Sequence, residues 1–485
     1  MSFPETDLAS WVGASWRRGP SIVPDINPAH PGEPVAVVHE ADTALAEEAV
    51  AAAHGAFGTW RLLPAPARGD ILHGMGRMLE ERAEAIGRDL SREEGKTIGE
   101  AIGEVRLAAK IFRYFGAQTL DADGETYPSH TPDTLLFARR EPLGVVSVLT
   151  PWNFPIAIAA WKIAPALAFG NTVVWKPAGL VPLTAVHLTH VAIDSGLPAG
   201  VLNLILGSGS VVGDVLVTHR DVAAISFTGS NSVGHALHVR AISAGKKAQL
   251  EMGGKNAAVV LADADLDLAA QKVAQGAFLG TGQKCTSTSR VAVEEAVFDD
   301  FLQRLVSNAG ELRLGDPLDP STNIGPLASA GQLESVLAHL DTARRDGATT
   351  VAGGGRPSDD LDEGYYIEPT VLVGLDPSSS VATEEIFGPV VMLQSVASFE
   401  DSMGAANNSR FGLSASIFTN DLTKAMRFKD QIRCGMVRIN GSTTATEFHV
   451  PFGGMKESGT GGREQGKAAR EFFTEWKTVY MGLPG

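Results

Sequence analysis

The chain has 485 residues, 44% hydrophobic and 20% charged, with a formal net charge of −16. That length predicts roughly two to four domains around a large core. The acidic balance argues against nucleic acid as a partner, because phosphate binding needs clustered Lys and Arg, but it leaves room for a small anion in a local positive pocket.

The two cysteines, Cys285 and Cys434, exclude a disulfide framework and a zinc site built on paired cysteines. No metal is expected. So few thiols suit a reducing compartment, and the start MSFPETDLASWVG lacks a basic stretch followed by an apolar run, so a cytoplasmic setting is expected.

In chain order, 42–73 and 77–110 are rich in Ala, Glu and Leu and predict helices. Residues 121–141 are polar, with Thr, Tyr, Ser, Pro and the pair Arg139-Arg140, and predict extended strands leaving the compact body. The stretch 144–161, GVVSVLTPWNFPIAIAAW, is uncharged over 18 residues and has the length of a membrane span. Pro151, Trp152, Asn153 and Pro155 interrupt it, so it predicts a buried strand, a tight turn and a helix start rather than a membrane contact. Strands at 145–149, 172–176, 201–205 and 223–227 then alternate with helices at 158–168, 183–195 and 211–219. This alternation predicts a doubly wound parallel α/β sheet. Ligands on such sheets bind outside the carboxyl ends of the strands, which points to the loops after Thr150, Lys176, Leu206 and Thr228. From Asn256 a second series follows, with a helix at 268–279 and strands at 290–293, 367–373 and 414–418, predicting a second α/β domain. The tail TVYM at 478–481 predicts a short strand.

Several residues carry chemistry. Cys285 lies in GTGQKCTSTSR beside Lys284. Burial as a small hydrophobe is the commoner fate of a cysteine. This segment makes poor core, and a loop of amides with an adjacent cation favours a thiolate nucleophile. The segment alone leaves the two readings level. Glu251, before Gly-Gly in QLEMGGKN, suits a general base that activates water, although a surface salt bridge is the commoner role for a lone glutamate. Asn153 in TPWNFP is either an oxyanion donor or the cap of the following helix, roles that one amide does not easily combine. Gly229 and Ser230 in FTGSNSVG follow a strand and open a helix, a place for a pyrophosphate, without the G-x-G-x-x-G fingerprint. Lys176 in KPAG ends another strand and could reach a ribose or a 2′-phosphate.

Together TPWNFP, WKPAG, FTGSNSVG, LEMGGKN, GQKC, EEIFGPV and PFGGMKESG, in this order, resemble the signatures of the aldehyde dehydrogenase superfamily over nearly the whole chain. The resemblance implies Cys285 as nucleophile, Glu251 as base, and Asn153 with the Cys285 backbone N–H as oxyanion hole. The aldehyde would be oxidised through a thioester that water hydrolyses, the LEMGGK glutamate marking the hydrolytic rather than the CoA-acylating type. It places an NAD or NADP cofactor among Thr150, Trp152, Lys176, Ala178, Gly179, Gly209, Gly229, Ser230, Glu385 and Phe387. Gly179 stands where NAD-preferring relatives often carry glutamate, so NADP is expected to be accepted and is a candidate for the preferred cofactor.

Succinate-semialdehyde members carry arginines where this chain has Trp161 and Leu279, which weakens that substrate. The segments GQKCTSTSRV and EFHVPFGGMKESGTGGREQG are most similar to 2-oxoglutarate semialdehyde (2,5-dioxovalerate) dehydrogenases. Candidate substrate contacts are Trp161, Lys284, Arg113 and His449, with Arg106 a further cation. The resemblance further implies a Rossmann-like cofactor domain (1–120 with 143–252), an α/β catalytic domain (253–467) and a small β oligomerisation extension (121–142 and 468–485) that makes a homodimer or homotetramer. Rival readings are an acyl-transferring dehydrogenase that uses phosphate, a dehydrogenase of succinate semialdehyde or an aromatic aldehyde, and a retired scaffold that only binds. Retention of Cys285, Glu251 and Asn153 together argues against the last.

Overall fold

Five parallel strands form the centre of an eight-stranded sheet in the computed structural model, which describes residues 6–357 and 361–482. Their spatial order is Lys247–Glu251, Val222–Thr228, Val145–Leu149, Thr172–Lys176, Leu202–Leu204. Val145–Leu149 is buried throughout, as expected of a strand covered on both faces. Its side chains alternate. Val146 and Val148 pack with the helices Ala65–Glu81, Ile98–Gln118, Ala157–Ala168 and Pro182–Asp194, while Val145 and Leu149 pack with Thr43–Trp60, Gly209–Thr218 and Asn231–Ser243. Pairing of Leu149 with Lys176 and Phe227, and of Thr228 with Glu251, aligns the carboxyl ends along one edge. Gly459–Thr460 closes this sheet on the Glu251 side and the hairpin of Ser10–Val12 and Ser15–Arg17 closes the other.

The expected helix at 42–73 is two helices, and the one at 77–110 runs across parts of three. Pro64 breaks the first between Trp60 and Ala65, and Gly95, at φ 92°, ends Ala83–Glu94 in the left-handed region. The 144–161 stretch is the buried strand, turn and helix start foreseen. No helix among the described residues is long and apolar enough to cross a membrane.

The second sheet has seven strands, ordered Thr349–Ala352, Thr370–Val373, Val390–Val396, Thr288–Glu294, Asn256–Val260, Ser414–Phe418, Met436–Ile439, with only the first antiparallel to its neighbour. Helices Leu266–Phe278 and Phe298–Gly310 cover one face, and Phe399–Asn407 and Leu422–Gln431 the other. The polar segment at 121–141 and the tail form a three-stranded antiparallel sheet of Gly124–Tyr127, Thr134–Pro142 and Thr474–Gly482. It leaves Tyr127, Leu135, Trp476, Tyr480 and Met481 exposed.

Candidate active site

Cys285 follows the turn Leu279–Gly282 and precedes the strand Thr288–Glu294, facing the carboxyl edge of the first sheet. It is half-buried and packs against Leu413, Met436 and Phe452. Its carbonyl accepts from Asn256 Nδ2 at 2.8 Å, and the same amide holds the Ser287 carbonyl at 2.9 Å, so Asn256 fixes the loop that carries the thiol. Gly254 lets this loop approach, because a Cβ there would lie 2.9 Å from the Cys285 carbonyl oxygen. The Cys285 segment left a thiolate beside Lys284 and a buried thiol level. Burial, reinforced by the Glu385 and Glu251 carboxyls, pushes the thiol well above its ordinary value. Lys284 does not oppose this, since its ammonium turns to Glu100 at 3.4 Å.

Asn153 is free to donate. The backbone N–H groups of Ile156 and Ala157, at the start of the helix Ala157–Ala168, donate to Glu104 Oε1 at 3.0 and 3.1 Å, so a carboxylate from another helix fills the capping role. The other oxygen of Glu104 accepts from Lys96 Nζ at 2.6 Å, and Lys96 also donates to the Asn153 carbonyl at 2.7 Å. All three residues are buried. One Asn153 Nδ2 hydrogen goes to the Gln283 carbonyl at 2.9 Å, two residues before Cys285. An amide has two such hydrogens, which leaves one for an oxyanion.

Glu251 is 2% exposed at the end of its strand. Burial, then the Glu464 carboxylate, raises its pKa well above the usual range. One oxygen accepts weakly from the Gly454 N–H at 3.3 Å and the other has no partner. Gly453 lies so close that a Cβ would overlap that free oxygen. Glu464 itself is held by Lys162 Nζ and by Trp161 Nε1 at 2.8 Å.

The residues expected around a cofactor border the same edge. Lys176 is lowered to about 8 by burial, donates to the Pro177 carbonyl at 2.9 Å, and has its Cε 3.9 Å from where a Cβ on Gly209 would sit. Ala178 is half-buried beside it, and Gly179 is exposed with nothing within 4 Å of an added Cβ. Ser230 makes no side-chain cap to the helix Asn231–Ser243, leaving its first N–H groups open, and a Cβ at Gly229 would press on the Phe227 ring at 2.6 Å. Thr150 accepts from the buried Trp175 Nε1 at 2.9 Å. Trp152 and Phe387 meet edge to face at 5.3 Å. Phe387 sits at φ 57°, and its carbonyl is held by Gln332 Nε2 at 2.9 Å. Glu385 accepts from the Gly254 N–H at 2.9 Å and is raised to about 7, mainly by burial. Gly253 leaves room for it, since a Cβ there would overlap its carboxylate.

Of the substrate candidates, Lys284 lines a cavity of about 230 Å³ together with Lys96, Asn153, Phe154 and Gln283 and the carboxylates Glu94, Glu100 and Glu104. Trp161 is buried, with its N–H committed to Glu464 and its ring 5.8 Å from Phe452. Arg113 pairs with Glu80 and Arg106 with Glu84 on exposed helix surface, and His449 is exposed beside Glu447. None of these four lines that cavity.

The profile described as "Aldehyde dehydrogenase family" matches residues 16–479. The chain belongs to the aldehyde dehydrogenase family, whose members are NAD(P)-dependent oxidoreductases. It is 42% identical to the α-ketoglutaric semialdehyde dehydrogenase of Bacillus subtilis, with 97% of each chain covered. It is 45% identical to the α-ketoglutarate semialdehyde dehydrogenase of Haloferax volcanii, with 94% of each covered. The betaine aldehyde dehydrogenase of Staphylococcus aureus, solved in complex with NAD⁺, superimposes with a TM-score of 0.96 at 34% identity, covering 99% of this chain and 95% of that one. The family motifs named Asn153, Glu251 and Cys285; they contained Asn256, in LEMGGKN, without marking its hold on the Cys285 loop, and gave no notice of Lys96, Glu104, Lys162 or Glu464.

Proposed function

We propose that the protein oxidises 2-oxoglutarate semialdehyde (2,5-dioxovalerate) to 2-oxoglutarate with NADP⁺ or NAD⁺ through a thioester on Cys285. The observation that carries the chemistry is the convergence on the Cys285 loop of the Asn153 amide, one hydrogen uncommitted, and of a buried Glu251 carboxyl with one free oxygen. The Cys285 sulfur attacks the aldehyde carbon, and its proton passes to a base as the carbon–sulfur bond forms. Asn153 and the Cys285 N–H take the developing oxyanion. When bound, the nicotinamide cofactor supplies the hydride acceptor. Glu251 then removes a proton from the water that cleaves the thioester, and its raised pKa suits a base working near neutral pH.

The residues present fit a dinucleotide. Gly253 leaves space for Glu385 at the catalytic end, and at the other Lys176 lies beside Gly209 while Gly179 has open space around it. Lys176 with no carboxylate at Gly179 supports NADP⁺ as an accepted cofactor and a candidate for the preferred one. In this reading the eight-stranded sheet is the cofactor domain and the seven-stranded sheet the catalytic domain. The three-stranded sheet, with its exposed aromatic and apolar side chains, is the oligomerisation surface of a cytoplasmic homodimer or homotetramer.

The substrate rests on the names of the two relatives above and on Lys284. The Lys284 ammonium, held only by a 3.4 Å contact to Glu100, exchanges that partner for the substrate carboxylate. The test is an aldehyde panel of 2-oxoglutarate semialdehyde, succinate semialdehyde, betaine aldehyde and benzaldehyde, assayed with both cofactors. The first should show the highest kcat/KM. A higher value for any of the others overturns the substrate assignment.

A further inference from the structure

A cavity of about 350 Å³ lies remote from Cys285, at the base of the three-stranded sheet where it leaves the helical body. Its volume is within the range of small-ligand sites, roughly 300–1,000 Å³. Five arginines line it, Arg61, Arg68, Arg139, Arg140 and Arg470, on a chain whose net charge is −16. Its carboxylates are three. Asp123 is taken by Arg139 at 2.9 Å and Glu141 by Lys477, which leaves Asp121. Arg140 pairs with Glu471 and stacks on Trp476 at 4.0 Å.

The other three guanidiniums have no carboxylate partner among the described residues. Arg68 is buried and gives Nε to the Ala168 carbonyl at 3.0 Å and one η nitrogen to the Leu63 carbonyl at 2.6 Å, leaving its second η nitrogen uncommitted. Arg470 has a buried Nε with no hydrogen-bond partner, and its guanidinium stands 5.7 Å from the Phe169 ring. Arg61 is exposed at the rim. Buried, unpaired donors of this kind cost stability unless an acceptor joins them. Guanidinium forks match carboxylate and phosphate oxygens in paired hydrogen bonds.

We propose that this cavity binds a small multivalent oxyanion, a phosphate or a di- or tricarboxylate, held by Arg68 and Arg470 and closed by Arg61. Because one wall is Arg139, Arg140 and Thr474 of the three-stranded sheet and the opposite wall is the helical body, the anion ties the two together. The site is independent of the aldehyde that the enzyme oxidises.

The experiment is calorimetry and thermal unfolding of the full-length protein with inorganic phosphate, pyrophosphate, succinate or citrate, against chloride at equal ionic strength. At least one oxyanion should bind saturably and raise Tm, and the strongest identifies the ligand class. Arg470→Met, which keeps an apolar stem over Phe169, and Arg61→Gln, an exposed change, should each weaken binding, Arg470→Met at least tenfold, with kcat unchanged. Equal stabilisation by chloride, or unaltered binding in both variants, overturns the proposal. So does dissociation of the oligomer in Arg470→Met with no oxyanion effect on the wild type, which would assign these arginines to carboxylates of a second copy.

Discussion

Gly179→Glu tests the cofactor assignment at a position where little else changes. The site is exposed, its backbone is ordinary, and a Cβ meets nothing within 4 Å, so folding and kcat should survive. The new carboxylate would stand three residues from Lys176, at the same strand end. Two unit charges about 6 Å apart in water repel by roughly 0.7 kcal/mol, and a 2′-phosphate carries about −1.5 to −2, which gives roughly 1–1.5 kcal/mol against NADP⁺. With NAD⁺ the same carboxylate gains a charge-assisted hydrogen bond to the ribose, worth about 1.5 kcal/mol or somewhat more. The NADP⁺/NAD⁺ ratio of kcat/KM should therefore fall by about 100-fold, or roughly 2.5–3 kcal/mol. Steady-state kinetics with each cofactor at saturating aldehyde measure it. A ratio that moves less than about threefold would refute the placement of the 2′-position beside Gly179. A wild-type preference for NAD⁺ above about tenfold would independently refute the reading of Lys176.

Glu251→Gln should give a burst of one reduced cofactor per subunit and then stall, with steady turnover lowered by about 10²–10⁴, measured by stopped-flow absorbance. Undiminished turnover would remove Glu251 from the mechanism. Lys284→Met should raise KM for 2-oxoglutarate semialdehyde about tenfold or more while leaving an uncharged aldehyde such as benzaldehyde nearly unchanged, a split that a purely structural lysine would not produce. Glu104→Gln removes the nearer carboxylate from the buried Lys96 ammonium, leaving Glu94 at 3.7 Å, and should lower stability by about 1–3 kcal/mol in urea unfolding; an unchanged stability would show that the pair is not the clamp described above. Because the Cys285 thiol is pushed above its ordinary value and must lose its proton to attack, kcat/KM should rise with pH through neutrality and into the alkaline range, and a flat profile would contradict this.

The fold was legible where local pattern and tertiary demand agree. Val145–Leu149, Thr172–Lys176 and Ser414–Phe418 are β-branched or apolar runs bounded by Gly, Pro or polar residues, and their limits could be read directly. The breaks at Pro64 and Gly95 were missed because Ala, Glu and Leu continue on both sides. The strand Val390–Val396 went unseen because its apolar run stands beside the EEIFGPV motif, which drew the reading toward chemistry. In the site, motif residues could be named but their state could not. Lys284 beside Cys285 suggested an activating cation, and only the three-dimensional path of its side chain shows it facing Glu100. Asn153 left two roles open because Glu104, its replacement as helix cap, stands 49 positions earlier in a helix that gives no sign of it.

The proposed roles of Cys285, Glu251 and Glu385 imply an order of events. Burial raises the Cys285 thiol and the Glu251 and Glu385 carboxyls alike, and the two carboxyls add to the cost of charging the thiol. The resting site therefore holds fewer negative charges than its residues could carry. Any cation entering this space lowers that cost for all of them at once, since opposite charge favours the ionised form. Glu385 accepts from the Gly254 N–H, and Gly254 also admits the Cys285 carbonyl, so the two groups share one stretch of backbone. An oxidised nicotinamide ring is such a cation, and its reduced form is neutral. If Glu385 and the Cys285 loop hold the nicotinamide end of the cofactor, as proposed above, its positive charge would favour ionisation of the thiol. Under the same reading, Glu251 would take a proton from water after hydride transfer, when the sulfur is esterified and carries no charge. The enclosure that suppresses the free thiolate is therefore what restricts it to the step in which it is used.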